Sequence, residues 1–180
     1  MDASEQLSAL MPVLVQVVDE IGPDDLTRPT PCATFDVAGV LEHMIGGATA
    51  FAPAFRGTDP SAPVDGDVVT RWRAAMTELV AAVASDGALA RTLATPFGEL
   101  SGAAFGQYVV FDGLVHGWDL TTALGLPYDP PAAVVDQVHG ALPALVPDPA
   151  RDGDTFAAAI PAADGASPLE QVIAFSGRAS

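Results

Sequence analysis

The sequence is poor in cysteine and in basic residues, and it has no long apolar run. A single cysteine, Cys32, excludes an internal disulfide framework and a zinc site built on several thiolates. Lys and Arg total 7 against 23 Asp and Glu, which gives a net charge of -16. No basic face for nucleic acid can form, and contact with anionic membranes is unfavourable. No run approaches the roughly 18 apolar residues that a membrane-spanning helix requires.

The length and composition are those of one globular domain, which we expect to span residues 1–180. Hydrophobic residues make up 49% and charged residues 17% of the chain, enough to bury a core without covalent cross-links. The first residues, MDASEQLSAL, lack the basic and apolar regions of a signal peptide. We therefore expect a cytoplasmic protein, in which the excess of acid serves solubility.

Helical periodicity predicts four long amphipathic helices. Apolar residues recur at helical spacing in four segments, which are Ser4 to Ile21, 37–56, 66–85 and Ser101 to about Leu124. Ser4, Asp36 and Ser101 are the expected N-caps. Pro12 should kink the first helix or delay its regular start. Since no stretch shows sustained period-two alternation, the pattern predicts an all-α, up-and-down four-helix bundle.

The C-terminal third predicts a short extension of this bundle. The stretch PPAAVVDQVHGALPALV predicts a fifth helix, with prolines at its start and near its end. The stretch DTFAAAIPAADGASPLEQVIAF then suggests a short extended segment followed by a short helix capped by Ser167.

Two of the three histidines occupy the middle of predicted bundle helices. Asp112 and His116 lie four residues apart on the fourth helix, so both side chains can reach one ion. His43, on the second helix, would supply a third ligand from across the bundle. Two histidines and a carboxylate with a fourth position open are typical of catalytic zinc.

The spacing leaves alternatives open. Asp119 lies about 20° around the helix from Asp112 and about 60° from His116, so by angle it can replace Asp112 as the ligand. It can equally act as the carboxylate that orients His116. In a bundle without metal, the histidines would be structural and Asp112 would simply hold the N–H of His116.

Glycines mark one face of each helix that carries these residues. The second helix has Gly39, Gly46 and Gly47 on the face of His43, and the fourth has a stripe formed by Gly102, Gly106, Gly113 and Gly117. An interior glycine costs up to about 1 kcal/mol relative to alanine. Close helix packing or an open cavity beside His43 would compensate for this cost.

Two longer stretches carry a resemblance to a known family. The stretch LTRPTPCATFDVAGVLEHMIGGATAF, followed by FDGLVHGWDLTTALG, resembles the metal-binding proteins of the DinB superfamily. It is most similar to the actinobacterial branch related to the metal-binding domain of mycothiol-dependent maleylpyruvate isomerase. The ending, FAAAIPAADGASPLEQVIAFSGR, is also similar to the tail of that branch.

The resemblance implies a DinB/YfiT-like four-helix bundle that holds a divalent metal, commonly zinc or nickel, near one end. His43, Asp112 and His116 match the three ligand positions, with Asp112 standing where other branches have His or Glu. This favours Asp112 over Asp119 as the ligand. It leaves Asp119 either as a second carboxylate that supports a ligand or as a cap at the end of the helix. The chain has no room for the separate C-terminal domain of the full-length isomerase, so metal binding is the stronger expectation.

The function implied is that of a metal-dependent enzyme that uses a low-molecular-weight thiol such as mycothiol for S-transfer or isomerisation. The alternative is a metal-binding or small-molecule-binding module without catalysis. The sequence assigns no catalytic or thiol-binding residue. The expected partners are a small-molecule substrate or thiol, with no nucleic acid and no membrane, and a homodimer is compatible with the sequence.

Overall fold

The computed structural model of the protein describes residues 1–60, 62, 64–145 and 157–178. These residues contain six α-helices and one β-hairpin. The helices are α1 (Ala3–Asp19), α2 (Val37–Arg56), α3 (Val68–Val83), α4 (Gly102–Leu124), α5 (Ala132–Leu145) and α6 (Pro168–Phe175). The hairpin consists of β1 (Thr92–Thr95) and β2 (Gly98–Ser101). The prediction of an all-α protein is confirmed.

Helix α1 begins earlier than the sequence suggests. Asp2, and not Ser4, is the N-cap. The amide of Glu5 donates to the Asp2 carboxylate at 3.0 Å, and the amide of Asp2 donates to the Glu5 carboxylate at 2.9 Å. This reciprocal capping box satisfies two backbone donors, where a lone Ser4 cap would satisfy one. Pro12 lies inside the helix, so it does not delay the helix start.

The caps of α2 and α4 are those that the sequence predicts. The Asp36 carboxylate accepts from the amide of Gly39 at 2.7 Å, and the Ser101 hydroxyl accepts from the amide of Ala104 at 3.2 Å. Helix α3 lies within the predicted limits, and Asp67 caps it. Side-chain oxygens therefore fix where these three helices begin.

The β-hairpin was not predicted. Its strands pair antiparallel, from Thr92 opposite Ser101 to Thr95 opposite Gly98. The Thr95 hydroxyl donates to the carbonyl of Gly98 at 2.7 Å, and Gly98 adopts a φ of +95° that suits glycine. Because β2 ends at the cap of α4, the hairpin leads directly into the helix that carries Asp112 and His116.

Buried side chains from all the long helices form one hydrophobic core. Helix α2 packs mainly against α3, and α1 packs mainly against α4, while α2 also contacts α4. Trp72 of α3 is fully buried, and its indole N–H donates to the sulfur of Met44 on α2 at 3.4 Å. The up-and-down order of four helices stays a prediction. No described helix combines the length and apolar character needed to cross a membrane.

The C-terminal residues pack on α4. Helix α6 lies against α5 and also contacts α4. Ser167 caps it as predicted, in a capping box with Glu170. Of the predicted extended segment, 154–156 lie outside the described residues. The part from Ala157 to Ala163 is irregular, and the amide of Ile160 donates to the carbonyl of Ala174 at 3.0 Å.

Candidate metal centre

Helix α4 presents Asp112 and His116 one turn apart on the side that faces α2. The His116 Nε2 atom lies 3.5 Å from Asp112 Oδ1. His43 approaches from α2, and its Nε2 atom lies 3.2 Å from the same carboxylate oxygen. One candidate ligand atom from each residue lies within 4.8 Å of the other two. The structure thus brings the three residues together, and we call them the His–Asp–His cluster.

The cluster has a closed side and an open side. The His116 side chain is only 6% exposed, whereas those of His43 and Asp112 are 41% and 44% exposed. The two imidazole rings meet edge to face, with their centroids 4.8 Å apart. An ion among these groups would therefore be backed by the core and accessible from solvent.

The two spacings measured from Asp112 fit a tetrahedral ion. Zinc bonds to imidazole nitrogen and carboxylate oxygen of about 2.0–2.1 Å place neighbouring ligand atoms about 3.3 Å apart. The two distances from Asp112 Oδ1, of 3.2 and 3.5 Å, match that spacing. Imidazole and carboxylate are also ligands that zinc and nickel accept. Three such ligands leave a fourth position for a further group.

The charges of the cluster are strongly coupled. Burial lowers the pKa of His116, but Asp112 and Asp119 outweigh this effect and raise it to about 10. Partial removal from water raises the pKa of Asp112, but the charges and hydrogen bonds of the two histidines outweigh this and hold it well below its usual range. Without an ion, the proton on His116 thus supplies the positive charge that balances the carboxylate.

Asp119 lies behind His116 and not in the cluster. Its Oδ2 atom is 2.9 Å from His116 Nδ1, and its side chain is completely buried. Arg178 donates to both Asp119 oxygens, from Nε to Oδ1 at 3.2 Å and from Nη2 to Oδ2 at 3.0 Å. An acceptor at Nδ1 directs the ring so that Nε2 is available to an ion.

Comparison with known protein families identifies the family in which this arrangement occurs. The model of the mycothiol maleylpyruvate isomerase N-terminal domain family matches residues 7–121. The chain belongs to this family. The matched region includes all three residues of the His–Asp–His cluster and also Asp119. The resemblance drawn from the sequence is confirmed.

The protein has relatives in mycobacteria. An uncharacterised protein of Mycobacterium tuberculosis, found in strains CDC 1551 / Oshkosh and ATCC 25618 / H37Rv, is 31% identical over 157 residues. The matched region covers 86% of this chain and 86% of each relative. These relatives support the actinobacterial branch. No solved structure matches the chain significantly.

The sequence did not indicate two further residues, one that packs against the histidines of the cluster and one that binds Asp119 behind it. Phe35 packs its ring against His43 and His116, with centroid distances of 5.3 and 6.4 Å. Its amide donates to the carbonyl of Cys32 at 3.0 Å, so both belong to the turn that precedes α2. Arg178 was missed because nothing in its local sequence indicates a partner 59 residues away.

The third histidine and the acidic neighbour of His43 lie outside the cluster. His139 on α5 pairs its Nε2 with Gln171 Oε1 at 2.9 Å. Glu42, next to His43, is exposed and forms an ion pair with Arg71, which lowers the pKa of the Glu42 carboxyl. Neither His139 nor Glu42 is part of the candidate centre.

Two cavities in the described part of the chain are separate from the cluster. One, of about 150 Å³, lies between α2 and α3 and is lined by residues such as Ile45, Ala52 and Ala75. The other, of about 200 Å³, lies beside Tyr128 and the start of α6. Neither is lined by a residue of the cluster, which opens directly to the surface.

Proposed function

We propose that this protein binds one divalent metal ion, zinc or alternatively nickel, through His43, Asp112 and His116. We further propose that it uses the ion with a low-molecular-weight thiol such as mycothiol, in S-transfer or isomerisation. The observation that carries the proposal is the convergence of three ligand atoms from α2 and α4 within 4.8 Å. Membership of the family supports the choice of thiol.

The residues of the centre would have distinct tasks. His116 and Asp112 would hold the ion on α4, and His43 would complete the set from α2. Asp119 would orient His116 through Nδ1. When bound, a zinc ion supplies Lewis-acid chemistry that lowers the pKa of a thiol in the open position. We propose a cytoplasmic location, where such thiols are kept reduced.

The second candidate is a metal-binding module without catalysis. The observation in its favour is the exposure of the cluster, since the side chains of His43 and Asp112 are 41% and 44% exposed. A catalytic site usually offers a concave pocket that buries most of its substrate. The two candidates share the ion and differ in whether a thiol binds beside it.

Metal content tests the shared part of both candidates. Protein purified without an affinity tag should hold about one zinc or nickel ion per chain by elemental analysis. The His43→Ala/His116→Ala double variant should hold none. The matched control is His139→Ala, which removes the histidine outside the cluster and should keep the ion. A wild-type protein that neither holds zinc nor takes it up would refute the proposed site.

A cobalt-substituted protein separates the two candidates. Mycothiol should produce a sulfur-to-cobalt charge-transfer band if its sulfur occupies the open position. The S-methylated form of mycothiol is the control, because it cannot supply a thiolate. A saturating band supports the thiol-dependent enzyme. A metal-loaded protein whose spectrum does not change with the thiol supports the non-catalytic module.

A further inference from the structure

The C-terminal segment, beyond the family-matched region, contributes a side chain to the back of the candidate metal centre. Arg178 lies after α6, whereas the match ends at residue 121. Its side chain is only 14% exposed, and Asp119 is completely buried. The pair is therefore largely shielded from solvent, and the Asp119 side of it completely so.

The local chain fixes the position of the Arg178 guanidinium. Helix α6 ends at Phe175, and Gly177 turns the chain with a φ of +86°. The amide of Arg178 donates to the carbonyl of Ile173 at 3.3 Å. Its Nη1 donates to the carbonyl of Ser176 at 3.2 Å. These contacts leave Nε and Nη2 directed at the two oxygens of Asp119.

A carboxylate held at both oxygens cannot rotate. Arginine presents its N–H groups as a rigid fork, and a fork on a carboxylate fixes orientation as well as charge. Because Asp119 Oδ2 also lies 2.9 Å from His116 Nδ1, the fork fixes the imidazole too. Without the fork, the buried Asp119 carboxylate would lose one of its two partners and with it the contacts that fix its direction.

We propose that Arg178 is a positioning residue, which fixes Asp119 and through it aims His116 Nε2 at the metal. The metal affinity of a site built from residues 43–116 then depends on the C-terminal segment. This inference rests on the proposed metal site. Removing a partner that orients a metal ligand typically costs about 10- to 100-fold in affinity, and we expect Arg178→Ala to lose zinc affinity in that range.

Chelator-competition titration of zinc at fixed pH tests the proposal. The variants are Arg178→Ala, Arg178→Lys, Asp119→Asn and the Arg178→Ala/Asp119→Asn double variant, each checked for folding by circular dichroism. Arg178→Lys keeps the charge without the fork, so its loss should be intermediate. In the Asp119→Asn background, Arg178→Ala should cause no further loss, since its effect passes through Asp119.

Controls separate positioning from general destabilisation. Leu79→Ala, in the core on α3, should lower the unfolding temperature and keep wild-type zinc affinity. Arg56→Ala, which breaks an ion pair with Glu78, should change neither appreciably. Wild-type affinity in folded Arg178→Ala would overturn the proposal, as would losses that multiply in the double variant. If Arg178→Ala does not fold, wild-type affinity in Arg178→Lys overturns it.

Zinc binding by the wild-type protein distinguishes a wrong role for Arg178 from a wrong metal site. A wild-type protein that binds no zinc refutes the metal site, and the role of Arg178 falls with it. A wild-type protein that binds zinc, beside Arg178 variants that bind it equally well, refutes only the role of Arg178.

Discussion

His116 is the residue on which the candidate centre depends, because a carboxylate lies beside each of its ring nitrogens. Asp112 lies 3.5 Å from Nε2, and Asp119 lies 2.9 Å from Nδ1. The two acids act on the same ring in different ways. Asp112 lies on the open side, where its carboxylate is also in contact with solvent. Asp119 is buried and is bound by Arg178.

The proton on His116 should make the proposed metal binding depend on pH. The pKa of this group is raised to about 10, and a metal must displace its proton. Zinc affinity in chelator-buffered titrations should therefore rise between pH 7.5 and 9, by up to about tenfold per pH unit for one displaced proton. An ordinary histidine, with a pKa near 6.5, would give no change there.

The control for this pH dependence is Asp119→Asn. Loss of the carboxylate at Nδ1 lowers the pKa of His116, so the rise in affinity should end at a lower pH. A zinc affinity that is flat from pH 7.5 to 9 in the wild-type protein would contradict the raised pKa.

The carboxylate at residue 112 should matter as a ligand. Asp112→Ala removes it, and we expect a loss of zinc affinity larger than the roughly 10- to 100-fold typical of residues that only orient a ligand. Asp112→Glu keeps the carboxylate and adds one methylene, so its affinity should stay closer to that of the wild type. Equal losses in the two variants, measured by calorimetry, would argue against direct ligation.

At the scale of elements, α4 can approach its neighbours because of its glycines. A Cβ on Gly117 would lie 2.5 Å from the Tyr128 hydroxyl and 2.6 Å from a Leu14 methyl carbon. The Tyr128 hydroxyl donates to the carbonyl of Leu114 at 2.9 Å. The glycine stripe thus has a packing role at this point of the helix.

Gly117→Ala should therefore destabilise the protein. Overpacking costs about 1–3 kcal/mol, which outweighs the gain of up to about 1 kcal/mol in helix propensity. Gly140→Ala on α5 is the matched control, because a Cβ there meets nothing within 4 Å, and it should gain stability. Urea unfolding of both variants gives the comparison. If both variants gained stability, the neighbours of Gly117 would be able to move aside at little cost, and the packing role of this glycine would be refuted.

Local signals predicted the helices well and the hairpin not at all. Asp36, Ser101 and Ser167 cap helices as expected because an N-cap acts within three residues of itself. The strands of four residues in 92–101 are too short to show an alternation in the sequence. At α1, Asp2 with Glu5 formed a better cap than the expected Ser4.

The candidate site was predictable only where its residues share an element. Asp112, His116 and Asp119 lie on α4, so their angles follow from helical geometry. The sequence left Asp119 open as a ligand, and the structure places it behind His116. Phe35 and Arg178 reach the site by tertiary packing, and no local pattern contains that information.

At the scale of the whole molecule, the arginines are mostly used in ion pairs. The described pairs are Arg28–Asp25, Arg56–Glu78, Arg71–Glu42, Arg73–Asp19 and Arg178–Asp119. With 23 acidic residues against 7 basic ones, most carboxylates have no basic partner to balance them. Such an excess of one sign destabilises the compact state through self-repulsion.

Salt should therefore stabilise the protein. Raising sodium chloride from 0.01 to 0.15 M shortens the Debye length from about 30 to about 8 Å, which weakens the repulsion among carboxylates. The midpoint of urea unfolding of the metal-free protein should move to a higher concentration. Urea is the suitable denaturant because it is uncharged. A midpoint that falls with salt would show that the ion pairs outweigh the repulsion.

The unequal exposure of the His–Asp–His cluster has a consequence for exchange kinetics. His43 and Asp112 are open to solvent, and His116 is sealed by the core. An ion would thus arrive and depart through one face, and would meet the exposed pair before the buried imidazole. A chelator can approach that same face while the ion is still held, so release should quicken as chelator concentration increases.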